Sequence, residues 1–452
     1  MTSNKNIQSA TKNRDEFRSH TGFILACIGS AVGMGNIWRF PVMVSKYGGL
    51  TFILPFIIFV VIIAGTGVME EFALGRAMKS GPIGAFGGAT KKRFGNERIG
   101  KIIGAIPVLG AIGMAIGYTC VMAWIFKYLF MAITGEMYNM GTNTEVISSM
   151  FANTASAFGA NIWVVVTIIA CLAISIMGIS NGIEKANKIM MPLLFGLLVF
   201  LAIYVATLPN SSGGYEYILR LGPAGLLDAK VWIFAFGQAF FSLSIAGNGS
   251  VIYGSYLSKK NSIPFSTIFI ALFDVISAIV MTIVVIPAMA TCGIEPSKSG
   301  PGIMFVYLVQ VINAMPGGRI IGIVLFIAIL FAGMSSIVNM YETPVSTLQD
   351  SFGINRKTST IIILILGCVA AIFIQAITSE WMDAVSIYAC PLGAGLAGIM
   401  FFIVCGKDFV LHEVNTGANK KVGPWFYYLG KYLFIPLSAL ALILGCAMGG
   451  IG

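Results

Sequence analysis

Long apolar runs separated by short polar connections fill almost the whole chain. Eleven of them are long enough to cross about 30 Å of hydrocarbon as helices: residues 21–45, 51–76, 101–134, 161–179, 188–208, 230–257, 264–291, 318–348, 358–378, 382–405 and 425–450. Two runs carry residues that break helices. The first contains "SAVGMGNIWRFP" (Ser30–Pro41), with Gly33, Gly35, Asn36, Arg39 and Pro41 inside an apolar stretch. The sixth contains "GQAFFSLSIAGNGSVIYGSY" (Gly237–Tyr256). Non-helical backbone is tolerated at membrane depth only where it is buried in protein or lines a cavity. Gly29-x-x-x-Gly33 alone would fit simple close packing of helices, but Asn36, Arg39 and Pro41 do not. Interruptions at matching places in two five-span halves point to a transport site between inverted repeats. The pattern predicts an all-α polytopic membrane protein of eleven transmembrane helices. Helices 1–5 and 6–10 form two inverted five-helix repeats, and helices 1 and 6 are broken. Residues 1–20 are then a tail, 21–208 the first repeat, 230–405 the second, and 425–450 an added span.

Composition agrees with the pattern. The 452 residues are 57% hydrophobic and only 10% charged, with mean hydropathy +0.89, whereas soluble domains carry about 25% charged residues. The polar first residues lead straight into span 1, so no cleavable signal peptide is expected. The eight cysteines are scattered through apolar segments without a CxxC pair. They read as small core residues, not as a metal or disulfide framework.

The net charge of +10 has an explanation other than nucleic acid. With the N-terminus placed inside, 21 of the 28 lysines and arginines fall in inner segments. Clusters such as Lys91, Lys92 and Arg93, or Lys259 and Lys260, carry the bias. The positive-inside rule then sets a cytoplasmic N-terminus and an extracellular C-terminus in the cell membrane. The expected partners are a small-molecule substrate and the lipid bilayer, with no nucleic acid, and the chain is a monomer or a weak homodimer.

Asp274, in "ALFDVISAIVMTIVVIP", is the sole charge of its span. A carboxylate at that depth is costly, so it should face a cation or a proton path. Histidine-based hydrolysis is excluded, because His20 and His412 both lie outside the apolar runs. A two-aspartate protease would need paired intramembrane aspartates, and Asp274 and Asp383 sit in different layers. A channel would need a continuous polar pore. The chain is therefore not read as an enzyme.

"GFILACIGSAVGMGNIWRFP" (Gly22–Pro41), followed by "EFALGR" (Glu71–Arg76), closely resembles the neurotransmitter:sodium symporter family, in particular its eleven-span bacterial amino-acid members. The resemblance runs through all eleven spans and implies two sodium sites. In the first, the carbonyl of Ala31 joins the side chains of Asn36, Ser242 and Asp274 and the substrate carboxylate. In the second, carbonyls of Gly29, Val32 and Ala332 join the hydroxyls of Ser335 and Ser336. All are hard oxygen donors, suited to a small hard cation. Many relatives hold asparagine where Asp274 falls and need chloride to balance charge, so chloride-independent transport is expected here.

The same resemblance assigns the substrate site. Tyr118 and the amides near Met34 and Gly35 would hold the carboxylate. The amine would meet the carbonyls of Ala31, Phe241 and Ser242 and the hydroxyl of Ser244. Gly33 stands where monoamine transporters carry aspartate, which favours a substrate that brings its own carboxylate. Met114, Val121, Phe241, Gly247 and Met340 would line the side-chain pocket. Asn248 and Asn339 either bond the substrate or satisfy backbone at the breaks. Arg39 and Asp383 would form an outer ionic gate. Arg14 and Asp350 would form an inner one, supported by Phe17, Ser255 and Tyr256, and Glu71 would support the first sodium site through its neighbours. The implied function is a sodium-coupled symporter that imports a neutral amino acid, large and hydrophobic or aromatic, by alternating access. Another small carboxylate, such as an aromatic 2-oxo acid, or a non-transporting amino-acid sensor, stands as the alternative.

Overall fold

The computed structural model describes residues 15–245, 248–294 and 302–450, and all regular structure among them is helical. Each of the eleven apolar runs coincides with a helix or a helix pair. We number these α1 (His20–Ala31), α2 (Gly35–Tyr47), α3 (Gly49–Met78), α4 (Arg98–Thr134), α5 (Asn161–Ser175), α6 (Ile179–Ala206), α7 (Ala229–Ser242), α8 (Gly249–Ser255), α9 (Ile263–Thr291), α10 (Gly318–Phe352), α11 (Arg356–Ile374), α12 (378–404) and α13 (Trp425–Met448). Seven helices are individually long and apolar enough to cross a bilayer, and the pair α1 and α2, bent by 54°, makes an eighth.

That count is below eleven for three physical reasons. Helix α5 has 15 residues, one or two turns short of the full span. The sixth run is divided into α7 and α8. Helices α11 and α12 form one continuous run of 49 residues. A straight rod of that length would reach about 73 Å, more than twice the hydrocarbon thickness, and a 3-10 turn at Gln375–Ile377 divides it.

The connections hold more structure than hydropathy indicates. Short helices occupy Pro82–Phe94, Thr144–Ala155, Ser212–Leu219, Ile303–Ala314 and Lys407–Asn415. Their signals are local. Pro82 takes the first position of its helix, and Gly95 closes it at φ 74°, the usual Pro-start, Gly-stop asymmetry.

Two close contacts position the centre of the molecule. Helix α4 runs antiparallel to α10: Gly322 faces Met137 and Ala132, Gly333 faces Met122, and the hydroxyls of Tyr341 and Thr119 lie 2.8 Å apart. The C-terminal half of α3 packs against α8 with almost no side chain between them. Gly254 faces the backbone of Phe72, and Gly75 faces that of Val251. Below this contact Arg76, fully buried, pairs with Glu413 at 3.1 Å and donates to the Asn261 carbonyl at 2.9 Å. The C-terminal end of α3 is thereby tied to the helix that follows α12.

A β-carbon on Gly75 would stand 1.9 Å from the Val251 carbonyl oxygen. Gly75→Ala is expected to destabilise the protein by about 1–3 kcal/mol through overpacking. A thermal midpoint equal to that of the wild type in detergent would contradict this packing.

Candidate functional site

The break between α1 and α2 redirects four backbone groups. In a continuous helix the Gly33 N–H would bond the Gly29 carbonyl and the Met34 N–H the Ser30 carbonyl. Here Gly33 donates to the Ala31 carbonyl at 2.9 Å, and Met34 donates to the Tyr118 hydroxyl at 2.9 Å. The carbonyls of Gly29 and Ser30 are released at mid-membrane. They are met by hydroxyls, since a bare carbonyl in hydrocarbon costs several kcal/mol. Ser335 donates to Gly29 at 2.7 Å, Ser336 lies 3.1 Å from it, and Ser244 donates to Ser30 at 2.6 Å. The Ala332 carbonyl lies 2.9 and 3.2 Å from the same two serine oxygens. Gly29, Ala332, Ser335 and Ser336 of the expected second sodium set are thus brought together, and Val32 is the first residue of the break itself.

A second oxygen cluster joins α2, α7 and α9. Asn36 donates to the Asp274 carboxylate at 2.8 Å and to its carbonyl at 3.0 Å. The Ser242 hydroxyl lies 2.7 Å from both Asn36 Oδ1 and Asp274 Oδ1. All three residues are buried, and Asp274 Oδ2 has no hydrogen-bond partner. Ser277, one turn along from Asp274, completes the cluster by accepting from Asn36 at 2.8 Å. Sequence reading missed it, although its i+3 spacing from Asp274 was the available signal.

Between the clusters lies a small central cavity of about 40 Å³. Ala31, Gly33, Met34, Gly35, Met114, Tyr118, Phe241, Ser242, Ser244 and Met340 all line it. Val121 instead lines a cavity of about 380 Å³ on the outer side, and Gly247 lies outside the described residues. Gly33 lets two hydroxyls approach the break closely. A β-carbon there would fall 2.7 Å from Ser336 Oγ and 2.8 Å from the Tyr118 hydroxyl, so a side chain at this position requires both to shift.

Both asparagines left open by the sequence have protein partners. Asn248 donates to Glu71 at 2.8 Å, so Glu71 supports the break of the sixth span directly. Asn248 holds the left-handed conformation, φ 55°, which asparagine accepts more readily than most residues. Asn339 donates to the Ser30 hydroxyl. A further asparagine, Asn187 of α6, presses against Gly29 with its Oδ1 unpartnered. It sits between two lysines in sequence, which disguised a buried residue as part of a loop end.

The gate expectations fall only partly on described residues. Arg39 and Asp383 both line the outer cavity, yet no ion pair within 4 Å joins them. The Arg39 guanidinium lies over the Phe241 ring, 4.9 Å from its centre. Arg14 lies outside the described residues. Asp350 accepts from Ser80 Oγ at 2.9 Å and from the Gly81 N–H at 3.2 Å. Another ion pair, between α10 and α11, was unforeseen from sequence. Arg356 meets Glu342 in a two-pronged contact of 2.9 and 2.7 Å, and Tyr256 donates to the same carboxylate at 2.7 Å. Phe17 packs edge-on against Phe23, Tyr253 and Tyr256.

The model of the sodium:neurotransmitter symporter family matches residues 14–152 and 146–448. The chain belongs to that family. An uncharacterized sodium-dependent transporter of Methanocaldococcus jannaschii is 31% identical over 439 residues, spanning 92% of this chain and 87% of that protein. The sodium-dependent neutral amino acid transporter B(0)AT3 of Rattus norvegicus is 23% identical over 481 residues, 84% of this chain and 75% of its own. The crystal structure of MhsT in complex with L-phenylalanine superposes with a TM-score of 0.84 at 29% identity, covering 95% of this chain and 99% of that one. These are transporters, so the symporter-family member is not an enzyme.

Tyr118→Phe would strand the Met34 N–H in a buried site. The expected loss is about 1–3 kcal/mol, read as a lower thermal midpoint without any ligand. An unchanged midpoint would mean that the Tyr118 hydroxyl does not hold the break.

Proposed function

We propose that this symporter-family member imports a neutral amino acid, coupled to sodium, by alternating access in the cell membrane. The observation that carries the reading is the oxygen-only cradle at the break of the first span. Two released carbonyls, two serine hydroxyls and the Ala332 carbonyl supply hard, uncharged ligands. Such a set suits a monovalent hard cation, and none of its members is a soft donor that would favour a transition metal. The Asp274 cluster is the second candidate cation site, and there a carboxylate oxygen awaits a partner.

The substrate's carboxylate would take the place beside Tyr118 and the amides of Met34 and Gly35, close to the Asp274 cluster. Sodium between two carboxylates closes the charge balance, so each ligand binds well only with the other. That mutual dependence is the whole of the coupling, because a ligand drives a conformational equilibrium only through differential affinity for its states. Met114, Met340 and Phe241 give the side-chain region an apolar wall, which favours a large hydrophobic or aromatic side chain. An N-terminus in the cytoplasm and a C-terminus outside follow from the lysine and arginine bias. On that orientation the outer vestibule is open to Arg39, and the cytoplasmic side is closed by Arg356, Glu342 and Phe17. The two five-span halves, 21–208 and 230–405, would move against each other around the breaks.

The test is ligand binding by the purified protein in sodium and in potassium across the neutral amino acids. Sodium-dependent stabilisation is expected, with ligand at about a hundred times its Kd adding about 2.7 kcal/mol. Ser336→Ala should raise the sodium concentration needed at least tenfold, while Ser438→Ala in α13, a buried serine bonded to its own helix, should leave it unchanged. Equal stabilisation in both salts would refute the proposal.

Chloride independence has its own check. Uptake into proteoliposomes is expected to be the same in chloride and in gluconate, since the Asp274 carboxylate already supplies the negative charge. Asp274→Asn should lose most uptake in gluconate and regain part of it in chloride. A wild type that fails without chloride would overturn this reading of Asp274.

A further inference from the structure

The central cavity has a direction, and its far end is polar. On α4, Ala111, Met114 and Tyr118 share one face at i, i+3 and i+7. On α10, Ser336, Asn339, Met340 and Thr343 share the facing side over the same seven-residue interval. Because the two helices run antiparallel, Tyr118 and Ser336 stand at one level, where both approach Gly33. Ala111 and Thr343 then stand two helical turns away, about 10 Å along the axis. The head-group end holds the tyrosine hydroxyl and the break amides. The middle is walled by Met114 and Met340.

Along this wall two buried polar atoms lack partners, one on Asn339 beside Met340 and one on Thr343 at the far end. Asn339 spends its N–H on the Ser30 hydroxyl and leaves Oδ1 unbonded; Thr343 Oγ1 is also unbonded. Both residues are at least nine-tenths buried, at 3% and 0% exposure, and both line the cavity. A threonine inside a helix ordinarily returns its hydroxyl to the carbonyl four residues back, as Thr347 does to Thr343 at 2.9 Å. Thr343 makes no such bond. An apolar substrate tip would bury these two atoms for good, at roughly 1–3 kcal/mol each. Ala111, opposite, is too small to cover them.

We propose that the transported substrate is an aromatic amino acid whose ring ends in a hydrogen-bond donor, a phenol O–H or an indole N–H. The tip would donate to Asn339 Oδ1 and meet Thr343, while Met114 and Met340 hold the ring. This rests on the reading of the chain as an amino-acid symporter and narrows it. A site that hydrogen-bonds a substrate hydroxyl discriminates sharply against the analogue that lacks it, because its own groups are then left unpaired.

The test is competition between tyrosine, tryptophan and phenylalanine for sodium-dependent binding to the full-length protein in lipid nanodiscs. Tyrosine or tryptophan is expected to bind at least tenfold more tightly than phenylalanine. Thr343→Val, which keeps the side-chain shape, and Asn339→Leu should each weaken the donor-bearing ligand more than phenylalanine and bring the ratio toward one. Phenylalanine binding as tightly as tyrosine and tryptophan in the wild type would overturn the inference and leave sodium-coupled symport standing. A ratio that survives both substitutions would overturn it too. Absence of sodium-dependent binding by every amino acid would remove both this inference and the function beneath it.

Discussion

Everything at the centre of this protein follows from two backbone carbonyls that have lost their helical partners. Within the hydrocarbon, no water compensates such a group. Gly29 and Ser30 must therefore be answered by side chains, and only small hydroxyls from neighbouring helices can come near enough. Ser335, Ser336 and Ser244 supply them from α10 and from the loop after α7. That requirement fixes which helices touch α1 and at what height. It also explains Tyr118, whose hydroxyl accepts the N–H that the break set free. The pocket is what remains once every released group has been matched except those reserved for ligands.

The hydroxyl groups there are poised between two uses. In the absence of a cation each serine can donate to a carbonyl, which keeps the break intact. With a cation present the same oxygens can turn their lone pairs inward, and the carbonyls bind the ion instead of a hydrogen. The exchange leaves no polar group unsatisfied in either state. A side chain such as lysine could also satisfy the carbonyls, but permanently, and the site would then have no use for sodium. Serine is the residue type that makes an empty site tolerable and an occupied one better. The Asp274 cluster differs because its charge does not vanish. Asn36 and Ser242 place hydrogens on one carboxylate oxygen, while the other is left for a cation or proton to answer.

How far this was readable from sequence depended on whether the cause was local. The breaks were plain, because glycine, asparagine and proline inside apolar runs have no other good explanation at that depth. Span positions were plain for the same reason, down to a few residues at most ends. The 49-residue run was separable into two spans only by the length a bilayer permits. What stayed hidden depended on packing across helices. Asn187 and Ser277 are ordinary residues until α6 and α9 bring them against the breaks. Nothing in the sequence near Glu342 marks it as a partner, and Arg356 is one more cation of the positive-inside count. The motif resemblance placed Arg39 beside Asp383, but the free choice of a long side chain between an aspartate and an aromatic face is not written in a motif. Here the ring of Phe241 takes the guanidinium.

That last contact has a mechanical consequence. Arg39 lies over Phe241 and shares the outer cavity with Asp383, and Phe241 itself lines both the central cavity and the outer one. The ring is thus the thin wall between substrate and vestibule, and the guanidinium rests on its outer face. A cation over an aromatic ring contributes about 0.5–2 kcal/mol depending on desolvation, and an exposed ion pair about as little. Neither arrangement dominates the other by much. A substrate that fixes the ring from below needs only a comparably small preference to shift the arginine toward Asp383. The inner side is built on another scale, since Arg356 and Glu342 are joined by two short bonds in a mostly buried setting. Breaking such a pair by removing one member costs about 3–5 kcal/mol. The weaker latch faces the vestibule through which substrate would arrive on the proposed orientation. The stronger one faces the cytoplasm on that same proposed orientation, where opening before ion and substrate are bound would let sodium run through uncoupled.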